Sequence, residues 1–509
     1  MYATLMFARL AHLYSTSGAS ARLAKLILAT TLFLVLLGVS TYQPLQAQAT
    51  TLEPATAATI YLPYVSVPST DQTIGASDIV GEKLEACVTE QTAPNALVLA
   101  PTDDWQNAII KAAPGTTLLL HGGVYQASDK IWLPSGQADQ WITLKPYNCE
   151  TVTLYTSLRP GSYNVIAGLH LEALGIGDLT WAIRIDGKNK GPVRHLIIRN
   201  NTIFGGEKDA LKVSADVADV LITGNHIDGG KASHNLNVQS EGVAAAPDQI
   251  VISNNLLTKQ YFNSVAEDML QVIDAGNIEF SHNTCANGPA MEQCVDIKET
   301  RAPLNIHHNL FAGDTLHTTG PGVDGSAGCM VIHEHNKQPE NHLIEQNLFR
   351  NCRDTVIRFA SEGGNAMARA TVRANVFVNP DATDADAILI WRAQDVVFEN
   401  NTMIRGTLKL GADGDPTKIP QNTVLKNNIF YQTNIADRTQ APAAYQCGYN
   451  LFFKIAGNLA QTRCQNSLWD VDPLLADPAA AAVQPAANSP ACNAGESGAN
   501  QGAFGCGKK

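Results

Sequence analysis

The residues of this chain best suited to chemistry lie in short segments of alternating character. These are DALKVSAD (209–216), EDMLQVID (267–274), QCVDIKET (293–300), CMVIHEHN (329–336), DTVIRF (354–359) and DAILIWR (386–392). In an extended strand successive side chains point to opposite faces, so Leu211 and Val213, Leu270 and Val272, and Val295 and Ile297 turn inward together. Lys212, Gln271 and Asp296 then share the outer face, with Lys298 beside them. His333, His335, Arg358, Trp391 and Arg392 extend that face to a groove about six strands long, a bed for an extended sugar chain. Each feature also has a plainer reading. Asp296 and Lys298 are spaced as a surface ion pair, and Glu267-Asp268 can cap a turn. His333-Glu334-His335 has the same-face spacing of a metal site or of a stacked, solvated pair. Trp391 can stack on a sugar ring or close the surface, and Lys212 reads as a solvated face.

The elements that position these segments announce themselves by repetition. A phrase of aliphatic residues, asparagine and another apolar residue recurs as LIIRNNTIFGG (196–206), LITGNHIDGG (221–230), VISNNLLT (251–258), IEFSHNTCANG (278–288) and NIHHNLFAG (305–313). It continues as LIEQNLFRN (343–351), TVRANVFVN (371–379), VVFENNTMIRG (396–406) and VLKNNIFYQ (424–432). The asparagines Asn201, Asn225, Asn255, Asn283, Asn309, Asn347, Asn375, Asn401 and Asn428 are 24–30 residues apart, with one gap of 38. A period of this size signals a solenoid. The units are too short and too rich in Val, Ile and Thr for helical repeats. Stacked rungs place like strands about 4.8 Å apart, so buried asparagines can bond to those above and below. The expectation is an all-β, single-stranded parallel β-helix, on the order of 9–11 coils. A short amphipathic helix opening the stretch 105–145 would cover its first rung, and a non-repetitive segment would close the other end.

The chain's ends and charge suggest where it works. Arg22 and Lys25 precede an apolar run from Leu26 to Val39, and Ala47-Gln48-Ala49 offers a small-residue cleavage site. This reads as a signal peptide over 1–49. A Thr/Ala/Pro-rich spacer follows over 50–85, then a β-helix over 86–475 and a cap over 476–509. Removing Arg9, Arg22 and Lys25 would take the formal charge from −12 to −15, which gives no support for nucleic-acid or anionic-membrane partners. Ten cysteines without zinc spacing suit an exported, disulfide-bonded protein. Sequential pairs are expected, 87–149, 285–294, 329–352, 447–464 and 492–506, although connectivity does not follow from sequence. A secreted monomer is expected.

The opening GTTLLLHGGVY, the Asn-Asn-x-apolar rungs and the closing DPLLADP, NSPACNAG and GAFG resemble secreted right-handed parallel β-helix proteins of the pectate-lyase-like superfamily, over roughly residues 95–506. The resemblance implies cleavage of a uronic-acid polymer by β-elimination. That reaction needs a neutralised carboxylate, a base for the C5 proton and protonation of the leaving oxygen. It implies Lys298 as base, Ca²⁺ as cofactor on Glu267, Asp268, Asp296 and Glu299, and Arg301 or His333 steadying the developing charge. Lys212, His335, Arg358, Trp391 and Arg392 would bind the polymer. The chain departs from lyase patterns in lacking, in these outer-face segments, an adjacent aspartate pair of the kind that marks a tight Ca²⁺ site, and an arginine one coil beyond the lysine, where His333 lies nearest. A carbohydrate-binding or adhesion solenoid, and a glycoside hydrolase or uronate epimerase, remain open on the same groove.

Overall fold

The structure, a computed structural model, describes residues 95–177, 179–230, 234–259, 267–286, 288, 291–313, 328–333, 340–352, 355–360, 368–379, 387–412, 419–439 and 444–507. The expected signal peptide, the spacer, Cys87 and His335 lie outside them. Three long parallel sheets of 15, 13 and 14 strands run side by side, and the chain visits each in turn. One coil illustrates the plan. Val193–Arg199 belongs to the first sheet, Thr202–Phe204 to the 14-stranded sheet and Leu211–Val213 to the 13-stranded sheet; Val217–Thr223 then returns to the first. Every inter-coil pairing in these sheets is parallel, as between Leu196 and Val220. This is the parallel β-helix that the repeat implied, with more coils than the asparagines marked. The described coils before Asn201 contribute no asparagine to the file at that corner.

The corner between the first and the 14-stranded sheet explains the repeat. Asn201, Asn225, Asn255, Asn283, Asn309, Asn347, Asn375, Asn401 and Asn428 stack in one buried file, and Asn450 joins it as a tenth. From Asn201 to Asn428 each side-chain amide donates to the next asparagine's Oδ1 and to a backbone carbonyl of the preceding coil. Asn347 Nδ2, for example, lies 3.0 Å from Asn375 Oδ1 and 2.9 Å from the Ile306 oxygen. The residue just before each asparagine adopts positive φ, from Gly224 at +65° to Ala374 at +53° and Tyr449 at +56°. A left-handed corner costs Ala and Tyr about 1 kcal/mol or more, which the shared amide bonds offset.

Inside, Phe311, Phe349, Phe377, Phe398, Phe430, Phe452 and Trp469 form a column of stacked rings. The helix Trp105–Ile110 buries Trp105 and Ile109, and Trp105 meets Tyr125 edge-on. The C-terminal segment does more than close an end. It forms a hairpin of Leu475–Asp477 and Ala482–Pro485 and turns back along the solenoid. Val483 packs on Leu348, Val376, Val378 and Ile404. The Gly502 and Ala503 N–H groups bond to the Asn427 carbonyl and Thr402 Oγ1. Leu348, Val376, Val378 and Ile404 on the outer face of the 14-stranded sheet thus stay out of water.

Disulfides join 285–294, 329–352, 447–464 and 492–506. The first closes a loop within one coil, and 447–464 ties facing positions of neighbouring coils.

Candidate functional site

Register in the 13-stranded sheet aligns Arg184, Lys212, Asn237, Gln271, Asp296, Val331, Arg358 and Leu389 in one column. Lys212, Gln271 and Asp296 therefore share a file, as alternation suggested, with Asn237 between them. A second file stands three residues earlier in each coil and contains Asp209, His234, Asp268 and Gln293. Glycines let these coils approach. A Cβ on Gly230, at φ +66°, would overlap the Gly205 carbonyl, so the two turns that precede Asp209 and His234 nest together.

Asp209, His234, Glu267 and Asp268 meet in a buried cluster. His234 Nδ1 lies 2.9 Å from Asp209 Oδ1, and its Nε2 lies 3.1 Å from Glu267 Oε2 and 3.7 Å from Asp268 Oδ2. Trp181 Nε1 donates to the other Asp209 oxygen at 3.4 Å. Burial alone would lower the His234 pKa. Hydrogen bonds to Asp209 and Glu267, with the charge of Asp268, raise it to about 9. Asp268 is pushed well above the usual carboxylate range by burial and by nearby Asp296. It accepts from Gln271 Nε2 and the Gln293 N–H, each at 3.2 Å. Burial also acts on Glu267, but His234, Lys259 and Lys298 outweigh it and hold that pKa down. Lys259, wholly buried in the field of Asp268, Glu267, Asp228 and Asp209, has its pKa lowered by desolvation.

One coil further on, Asp296 is a pivot. Its Oδ2 lies 3.2 Å from Lys298 Nζ and its Oδ1 3.4 Å from His333 Nδ1. Burial works against the Lys298 charge, but Asp296 and Asp268 prevail and raise its pKa above the ordinary 10.5. Arg358 lies two coils beyond Asp296 and stacks over Trp391 at 5.5 Å. Arg392 follows Trp391, half-buried.

Other expected residues stand elsewhere. Arg301 holds Asp274 through Nε and Nη2, each at 2.5 Å, and also donates to the backbone carbonyls of Val243 and Ala244. Lys212 pairs at 2.9 Å with Glu241, which Arg184 and Lys188 also contact. The four carboxylates expected to hold Ca²⁺ divide three ways. Glu267 and Asp268 converge on the His234 nitrogen, Asp296 on Lys298 and His333, and Glu299 acts on Arg301. Calcium takes six to eight oxygens, and these four do not assemble such a cage.

Sequence reasoning missed Asp209, His234, Asn237 and Lys259. A signal for three of them was present. HNLNV at 234–238 has the same spacing as DALKV, DMLQV and QCVDI, with a polar residue two positions before the first inward aliphatic. Nothing local distinguishes Lys259 from a loop lysine.

No protein-family model matches this sequence, and no curated protein does. Solved structures of similar shape include the PL6 family alginate lyase AlyGC, at 13% identity and TM-score 0.49 over 73% of this chain. The match spans 53% of that enzyme's length. The pectate lyase Pel9A matches at 13% identity and TM-score 0.39, over 81% of this chain and 96% of that one. A mannuronic acid specific family 6 lyase from human gut microbiota matches at 14% identity and TM-score 0.41, over 74% and 92%. At these identities the likeness is one of coil architecture. The β-helix assignment rests on this chain's own three sheets.

Proposed function

We propose that this protein is an extracellular polysaccharide lyase that cleaves a uronic-acid polymer by β-elimination in the groove along the 13-stranded sheet. The observation that carries this reading is Asp296, which places an ammonium and an imidazole side by side on the outer column. Lys298, raised in pKa, is an ammonium at neutral pH. It is suited to meet the uronate carboxylate and the charge that develops on it when C5 loses its proton. His333, oriented by Asp296, takes the C5 proton; imidazole is the usual neutral-pH base. The electron pair left at C5 forms the C4–C5 double bond, the C4–O bond breaks, and the leaving oxygen takes a proton from His333 or water. Arg358 and Trp391 extend the bed for the polymer, and Lys212 and Arg392 lie toward its edges. Calcium is given no step, because its expected ligands do not converge.

Activity against a uronic-acid polymer, followed as ultraviolet absorbance of the unsaturated product, tests the assignment. His333→Ala and Lys298→Ala should each lose at least about a hundredfold. Loss below tenfold in both would remove the Asp296 pivot from the mechanism. A second reading, glycoside hydrolysis, draws on the carboxylates, since burial and nearby Asp296 push the Asp268 pKa up. A general acid paired with an ionised carboxylate is what that reaction requires. It would give new reducing ends without the absorbance.

A further inference from the structure

The failure of the carboxylates to form an oxygen cage has a positive side, for the group that does converge contains nitrogen. His234 Nε2, a Glu267 oxygen and an Asp268 oxygen all lie within 4.8 Å of one another. We propose that His234, Glu267 and Asp268 form a binding site for a divalent first-row transition metal of the Zn²⁺ or Mn²⁺ kind, with Asp209 as the outer partner that orients the histidine.

Three observations carry this. First, the donor set is one imidazole and two carboxylates, which suits these metals; calcium is served by oxygen alone. Second, the other histidine nitrogen is held by the Asp209 carboxylate at 2.9 Å. This is the hydrogen bond that fixes tautomer and ring direction for metal-bound histidines. It comes from a different coil, through the close approach at Gly205 and Gly230. Third, Asn237 stands against the same ring, its Nδ2 3.3 Å from His234 Nδ1. Its buried Oδ1 has no hydrogen-bond partner among the described residues.

Spacing agrees with capture. Bonds of about 2.0–2.2 Å to one ion place two donors roughly 3–3.5 Å apart. The nitrogen already stands 3.1 and 3.7 Å from the two oxygens. Metal would displace the Nε2 proton, so uptake releases a proton and weakens in acid. Three protein ligands leave a position for water or a sugar oxygen beside Gln271, which bonds Asp268 and stands in the groove column. The site is independent of the lyase proposal and stands or falls on metal content.

The test uses the full chain, stripped with chelator, dialysed against Zn²⁺ or Mn²⁺ and analysed by elemental mass spectrometry, with Co²⁺ loading to read visible ligand-field absorption. One ion per chain is expected, unaffected by a hundredfold excess of Ca²⁺. His234→Ala and Glu267→Gln should abolish it, and Asp209→Asn should weaken affinity about 10–100-fold. Thermal unfolding of each variant separates loss of ligand from loss of fold. Less than a tenth of an equivalent in the folded wild type would overturn the proposal, as would uptake retained in both ligand variants or equal competition by Ca²⁺. His234 would then be an imidazolium that only pairs with its three carboxylates.

Discussion

Replacing Asn347 by alanine tests whether the asparagine file holds the solenoid together. Asn347 is 1% exposed and lies away from the Asp296 pivot. Its Oδ1 accepts from the Asn309 N–H and Asn309 Nδ2, both at 2.9 Å. Its own Nδ2 donates to the Ile306 carbonyl at 2.9 Å and to Asn375 Oδ1 at 3.0 Å. Alanine leaves the Asn309 N–H without a partner, at a cost of roughly 1–3 kcal/mol, and removes three further bonds worth about 0.5–1.5 kcal/mol each. Allowing for relaxation, the expected loss is roughly 3–5 kcal/mol. Urea unfolding followed by circular dichroism reads it, with amide exchange at coils 309 and 375 to catch local opening. Arg373→Ala is the control. That arginine pairs with Glu345 at 2.6 Å but is 47% exposed, so its loss should cost no more than about 1 kcal/mol. If Asn347→Ala costs no more than Arg373→Ala, the file is decoration and the reasoning fails.

Three further expectations follow from the same geometry. A Lys298 base, its pKa raised above the ordinary value, would gain about tenfold in turnover per pH unit across the alkaline range; with His333 as the base no such climb is expected. His308 has its pKa lowered to about 4 by burial and by His282 and His307, against the pull of Glu345. The unfolded chain then binds a proton near 6.5 that the folded chain refuses until about 4. Stability should fall as pH drops through that window, and His308→Asn, which tolerates the φ of +55°, should flatten the fall in denaturant titrations; an unchanged slope would refute the assignment. Gly230→Ala should destabilise by more than about 1 kcal/mol and detach His234 from Asp209, visible as a changed His234 imidazole resonance; a variant with wild-type stability and spectrum would show that the two turns need not nest.

The architecture was legible because its determinant is local and periodic. A buried Asn at each corner can bond to another in the next coil, so Asn201 to Asn428 betray the stacking before any contact is seen. Outward placement of Lys212, Gln271 and Asp296 was legible for the same reason, strand alternation. The early coils were undercounted because they turn this corner without the repeated phrase; the coil before Asn201, for example, uses Gly168-Leu169, with the Leu169 N–H capped by Asn201. The site was only half legible. Asp296 and Lys298 share a strand, but Asp209, His234 and Asp268 come from three coils separated by turns of unequal length, so their meeting depends on register and on the Gly205–Gly230 approach. Charge partners were the least legible of all. Arg301 and Glu299 looked catalytic beside Lys298, yet Arg301 is committed to Asp274 and two backbone carbonyls.

The most direct test of the lyase reading is ultraviolet absorbance of purified protein offered a panel of uronic-acid polymers, from neutral to alkaline pH, with reducing ends counted in parallel. The reading requires absorbance to rise with one of these polymers and to vanish in His333→Ala. New reducing ends without absorbance would mean hydrolysis, and binding without either product would leave the groove as a carbohydrate-binding surface.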